Sequence, residues 1–295
     1  MIPFPDISPE IFSFSVLGIN IALRWYALSY ICGFMCALQI MKIYIRRQSI
    51  WAGNTSPMNS EDADAILTYL IIGVILGGRL GYVLFYNLGY YLQRPQDIIK
   101  VWDGGMAFHG GFVGVILAVI LYAKLNKLIL WSVADLIALA TPPGLLFGRL
   151  ANFINAELWG RPTSMPWGVI FPGQRAQDCE MFEGICSRHP SQLYEAMLEG
   201  LLLMLLLVFL SYRGALRLPG LVAGVFFVGY GCARFLVEYY RVPDPQFFSS
   251  SNPFGFAFRL GDLGVTMGQT LSLPMIIVGL SLIYIAYKRK WRSNL

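Results

Sequence analysis

Charge is what this sequence has least of. Only 13% of its 295 residues are Asp, Glu, Lys or Arg, against 56% hydrophobic, whereas a soluble domain carries roughly a quarter charged residues. That excludes an ordinary water-facing globular surface. Histidine is almost as scarce, with 2 in the chain, and the 5 cysteines show no zinc-type spacing with them, so neither a metal nor any other cofactor is expected. A G-x-S-x-G elbow, an H-E-x-x-H motif and an H-x₄-D pair are all missing, which argues against serine-hydrolase, zinc-protease and acyltransferase chemistry. The first ten residues contain Asp6 and Glu10 but no Lys or Arg. They lack the basic n-region of a signal peptide, and the first apolar run is expected to stay as a helix. There is no internal repeat, which removes the simplest argument for a transporter built from repeats.

Long apolar runs take the place of charge. Segments at about 19–41, 66–87, 107–123, 131–151, 191–211, 219–240 and 268–287 each approach the roughly 20 residues that cross a bilayer core. The expected fold is an all-α polytopic membrane protein of about seven transmembrane helices, a single domain over 1–295. Basic clusters follow alternate segments: Lys42, Arg46 and Arg47; Lys124 and Lys127; Arg213 and Arg217; Lys288, Arg289, Lys290 and Arg292. The positive-inside rule then predicts an external N-terminus and a cytoplasmic C-terminus. It also places 88–106, 152–190 and 241–267 outside. The net charge of +5 therefore reflects membrane topology rather than a nucleic-acid stripe. The Gly- and Pro-rich stretch at about 157–190 predicts a small external unit, and its Cys179 and Cys186 could pair if it faces an oxidising compartment. Cys32, Cys36 and Cys232 lie in apolar runs and read as small buried hydrophobes. The stretch 241–268, with Pro243, Pro245, three serines and several phenylalanines, predicts a loop at the lipid interface.

A few polar residues stand inside these runs, where a charge at helix centre costs about 2.5–3.5 kcal/mol on insertion scales. Arg234 and Glu238 are four apart and could neutralise each other. Arg79 and Arg149 have no acid three or four residues away, so each either pairs with Glu157, Glu195 or Glu199 on a neighbouring helix or receives an anion such as a phospholipid headgroup. From Gly148 to Gly160 the chain sets Arg149, Asn152, Asn155 and Glu157 within a few turns, a density that favours a site over a helix clamp. His109 lies among Gly104, Gly105, Gly110 and Gly111, which leave room for close backbone approach. By itself such a histidine is more often structural than catalytic. His189, just before Pro190, reads best as a helix cap.

The run Gly148 to Gly160 resembles the signature of the prolipoprotein diacylglyceryl transferases. Supporting matches are Arg24-Trp25-Tyr26, Gly77 to Tyr82, Asp103 to Gly111, Arg188 to Glu195 and Gly229 to Glu238. Arg24 stands where some members have His, and Ala151 and Ala156 where Gly is common. The resemblance implies seven helices in the bacterial cytoplasmic membrane with the active site toward the outer face. It implies phosphatidylglycerol as donor, the lipobox cysteine of a prolipoprotein signal peptide as acceptor, a thioether product, and glycerol phosphate released. With that reaction in view, the catalytic candidates are His109 as base, with Tyr26 or Glu238 as alternatives, and Arg149 and Arg234 on the phosphate. The expected phosphatidylglycerol-binding set is Arg149, Asn152, Asn155, Glu157, Gly160, Tyr230 and Arg79, with Glu157 and Glu238 orienting the arginines. The rivals are a lipid or anion transporter and a structural partner protein presenting its outer loops.

Overall fold

The structure, a computed structural model, describes residues 1–16, 19–179, 184–243, 247, 249, 252, 254–260 and 263–293. It is a helical bundle with small β pairs at its edge. In chain order the elements are β1 (Ile2–Pro3), β2 (Glu10–Val16), β3 (Ile19–Arg24), α1 (Trp25–Arg46), α2 (Ser60–Phe85), α3 (Leu88–Gln93), α4 (Phe108–Leu125), α5 (Leu130–Ala140) and α6 (Pro142–Ile154). They continue with β4 (Val169–Ile170), α7 (Gln174–Gln177), α8 (Ser191–Glu195), α9 (Leu203–Tyr212), α10 (Leu221–Val237), β5 (Phe258–Leu260), β6 (Leu263–Val265) and α11 (Met267–Ser293).

Among the described residues, 6 spans are long and apolar enough to cross a membrane: Trp25–Arg46, Ser60–Phe85, Phe108–Leu125, Leu130–Ile154, Ser191–Tyr212 and Met267–Arg289. Leu221–Val237 is apolar but shorter. Two spans are composite. Leu130–Ile154 is α5 and α6 joined at Thr141–Pro142, where proline has no N–H to donate. Ser191–Tyr212 is α8 and α9 joined by a π-helical turn, Ala196–Leu202. Leu76, Leu84, Leu205, Phe209, Ile277 and Leu280 point outward and are exposed, as lipid-facing side chains must be.

The first apolar segment begins differently from expectation. Ile19–Arg24 is a strand paired antiparallel with Glu10–Val16, Phe14 opposite Ile21. The alternation of Phe12, Ser13, Phe14 and Ser15 has the period of a strand, and it pairs with the residues before Trp25 instead of letting the helix extend back. The interfacial-loop reading of 241–268 rests partly on Pro245, Phe248, Ser250 and Ser251, which lie outside the described residues.

Two devices hold the bundle. Along α2 and α4, glycines meet backbone to backbone: a Cβ on Gly81 would sit 2.7 Å from the Gly110 Cα, and one on Gly77 or Gly114 would strike the facing backbone carbonyl of Gly110 or Gly73. Small residues let membrane helices approach this closely. Gly110 and Gly111 therefore serve the packing of α4 on α2, while Gly104 keeps open space beside it and His109 stays exposed. At the other device, buried Asp135 of α5 accepts from the Gly220 N–H at 2.7 Å and the Ala223 N–H at 2.8 Å. A carboxylate thus closes the N-terminus of α10, where the free N–H groups and the helix dipole favour negative charge. Around it lies the main apolar core, with Met41, Trp51, Ile66, Leu136, Leu139, Leu207 and Leu216.

Candidate active site

The signature run is built as a turn that gathers three stretches of chain. Past α6 the backbone enters the left-handed region at Ala156 (φ 51°) and Leu158 (φ 57°). Ala156 takes this left-handed conformation without being glycine, the residue that adopts it most readily. Asn152 Nδ2 donates to Glu157 Oε1 at 2.8 Å and Asn155 Nδ2 to the same oxygen at 3.4 Å. Glu157 therefore holds the two amides, where an arginine had been expected as its partner. Gly160 N–H donates to the His189 carbonyl at 2.8 Å, and Arg161 N–H to the Tyr240 carbonyl at 2.8 Å. A Cβ on Gly160 would meet both carbonyls, so only glycine lets the three segments meet.

Beneath this turn lies a charged network from α6, α8, the π-turn and α10. Arg149 Nε stands 3.1 Å from Glu195 Oε2, and its Nη2 3.6 Å from Glu199 Oε2. Tyr230 of α10 hydrogen-bonds the same guanidinium. Arg234 Nη1 reaches Glu195 Oε1 at 2.8 Å and its Nη2 reaches Glu238 Oε2 at 2.9 Å. Arg241, just past α10, contacts Glu195 Oε1 at 2.8 Å and Glu238 Oε2 at 3.4 Å. Thr266 Oγ1 donates to Glu238 Oε1 at 3.1 Å, and Gly268 leaves space for that carboxylate. Glu195 and Glu199 are both 0% exposed.

Arg149 thus has the neighbouring-helix acids that its own helix lacks: of the two alternatives the sequence left open, the structure shows the pairing with Glu195 and Glu199. Arg234 and Glu238 do pair, but each has a second partner, so they belong to a network of three arginines and three glutamates. Arg241 is the member not foreseen. Its signal was the spacing Arg234, Glu238, Arg241, which repeats at one helical face. Glu195 and Glu199, four apart in an apolar helix, carried a similar signal and had been weighed only as partners for arginine.

The remaining candidates are spread around this centre. Tyr26, on the first turn of α1, is 38% exposed, shares a 3.3 Å hydrogen bond with the Tyr30 hydroxyl, and lies within electrostatic reach of Glu157 and Arg149. His109 is exposed on the first turn of α4, its ring edge-on to Phe108 at 5.7 Å. One turn further, Phe112 packs on Phe227 of α10 at 5.9 Å, which ties α4 to the helix carrying Arg234. Arg79 is not part of the network. Buried in α2, it donates to the carbonyls of Asp97 and Ile98, at 2.6 and 2.7 Å, and to those of Gly104 and Gly105, and it lies against the Tyr91 ring. Its charge is spent on fixing the loop that leads into α4.

The segment 157–190 packs beside the site. Cys179 and Cys186 form a disulfide, Cα atoms 6.2 Å apart. Arg188 lies on the Trp159 ring at 4.1 Å and donates to the Ala176 and Asp178 carbonyls. His189 does not cap α8 with its side chain: Nδ1 is 3.0 Å from the Tyr194 hydroxyl, and the ring packs on Tyr240. Burial pushes its pKa down, which favours the neutral imidazole.

Membrane-length helices around a buried arginine–glutamate centre define a multi-pass membrane protein with a built polar site. The family model for prolipoprotein diacylglyceryl transferase matches residues 13–285. The chain is 57% identical over 283 residues to the phosphatidylglycerol–prolipoprotein diacylglyceryl transferase of Roseobacter denitrificans, covering 96% of each chain. It is 58% identical over 280 residues to the protein of that name from Cereibacter sphaeroides, covering 95% of this chain and 96% of that one. With the one from Rhizobium meliloti it shares 45% over 281 residues, covering 95% and 92%. The chain belongs to the prolipoprotein diacylglyceryl transferase family.

Proposed function

We propose that this protein moves the diacylglyceryl group of phosphatidylglycerol onto the thiol of a prolipoprotein lipobox cysteine, the first step of lipoprotein maturation. The observation that carries the reading is the Arg149–Glu195–Arg234–Glu238–Arg241 network under the family's signature turn. The thiol sulfur attacks the sp³ carbon of the glycerol ester, a C–S bond forms, and the C–O bond to phosphate breaks. Glycerol phosphate leaves with the bonding pair, and the thiol proton passes to a base. Arg149 and Arg234 hold the phosphate, whose charge grows as the bond breaks, and their carboxylate partners orient the guanidinium forks beforehand. Asn152, Asn155 and Gly160 shape the headgroup side under Glu157; Tyr230 steadies Arg149 and Tyr26 closes the approach from α1. His109 takes the thiol proton.

The direct test incubates purified protein with phosphatidylglycerol and a lipobox peptide. The expected product is a peptide bearing diacylglyceryl on cysteine, with glycerol phosphate released in equal amount. An unmodified thiol, or lipid consumed without thioether, would refute the assignment.

The setting follows from the same reading: a multi-pass protein of the bacterial cytoplasmic membrane, N-terminus and site outside, C-terminus in the cytoplasm. The alternating basic clusters support it, and so does the Cys179–Cys186 pair, since disulfides persist in oxidising compartments. In sealed cells an impermeant thiol reagent should label a cysteine placed at Gln96 and spare one at Asn126. The reverse pattern would invert the topology.

A further inference from the structure

Arg149 lies between two glutamates that it does not hold equally. Glu195 is the hub of the network, within 3.1 Å of three arginines. Among the described residues Glu199 has a single cationic contact, Arg149 Nη2 at 3.6 Å, and neither of its oxygens accepts a hydrogen bond. It is nevertheless 0% exposed. The backbone is built to bring it there. The π-turn Ala196–Leu202 widens the helix between α8 and α9, and Gly200 in that turn packs so closely on α6 that a Cβ would sit 2.7 Å from Leu146 Cβ. Single π-turns inside α-helices are frequent at functional sites.

We infer that Glu199 is an internal stand-in anion, a positioning residue that keeps the Nη2 edge of Arg149 aimed at the phosphate position until the lipid phosphate displaces it. This rests on the assignment of Arg149 to the phosphate. A guanidinium fork offers parallel N–H groups to one anion at a time along a given edge. The Nε side stays on Glu195, which two other arginines also anchor. The Nη2 contact with Glu199, at 3.6 Å, is the longest in the network, and neither Glu199 oxygen accepts a hydrogen bond among the described residues, so it is the contact that yields. The charged and titratable groups facing Glu199 are Arg149 from α6, Glu195 from α8, Tyr230 and Arg234 from α10, and Arg241 beyond it.

A competitor and a structural support have opposite signatures in KM. With phosphatidylglycerol in mixed micelles and peptide saturating, Glu199→Gln should lower the KM for lipid by about tenfold, equivalent to about 1.4 kcal/mol, with kcat changed far less. A raised or unchanged KM in a Glu199→Gln protein that melts at the wild-type temperature would overturn the inference. Should that variant not fold, Glu199→Asp, which draws the carboxylate back by one methylene, decides by the same direction of KM. Arg149→Gln separates the two readings: it should raise the KM for lipid. If Arg149→Gln leaves that KM untouched, the phosphate assignment itself fails, whatever Glu199 does.

Discussion

Arg149→Lys is expected to lower transfer by about 10²- to 10³-fold, the usual cost of removing one donor aimed at charge that develops in a transition state. The substitution keeps the positive charge between Glu195 and Glu199 but replaces a planar fork with a point charge on a flexible stem. Folding should survive, because Glu195 remains held by Arg234 and Arg241 at 2.8 Å each. The check is turnover of phosphatidylglycerol by purified protein, compared with its melting temperature and yield in membranes. Near-normal turnover would remove Arg149 from the phosphate; a melting temperature that collapses along with turnover would make its role that of a clamp. Arg234 cannot be examined as cleanly by pairing it with Glu238 in a double apolar replacement, since Glu195 and Arg241 would each lose a partner as well.

His109→Gln should lower turnover by at least about tenfold, the low side of what a general base contributes, with little change in lipid binding or melting temperature. Glutamine preserves size and hydrogen bonding but cannot take a proton. The limb of the pH–rate profile that a general base imposes should vanish with the imidazole. His109 sits exposed on the first turn of α4, on the α2-packed end of that helix, while Phe112 one turn on touches α10. A wild-type profile at near-normal rate in the variant would transfer the proton to water or to another group beside the arginines.

Much of the bundle was legible because lipid imposes a simple rule. Backbone groups in hydrocarbon must be satisfied within the helix, so apolar length translates directly into spans. The rule fails where the chain meets water or another backbone. Ile19–Arg24 is as apolar as a helix start yet pairs as a strand, because Glu10–Val16 supplies the hydrogen-bonding partner. The glycines beside His109 looked like room for a substrate; three of the four, Gly105, Gly110 and Gly111, are contact points for α2. Arg79 and Arg149 had the same local signature, an arginine with no acid in its own helix. Yet one binds backbone carbonyls of a loop and the other joins glutamates of two turns.

The sequence by itself determined the class of protein, the number and approximate position of its apolar segments, the family, and the density of polar groups from Gly148 to Gly160. The family follows from the resemblance of its motifs; the rest follows from composition, periodicity and the near neighbours of each residue. Only the tertiary structure decided which charge meets which. Arg149, Glu195, Arg234 and Arg241 come from separated stretches, and Arg241 enters the site because α10 ends beside α8. A guanidinium in an apolar run must find compensation, but its own helix offers only the residues one turn away. When those are apolar the partner comes from another helix, and helix packing alone selects it.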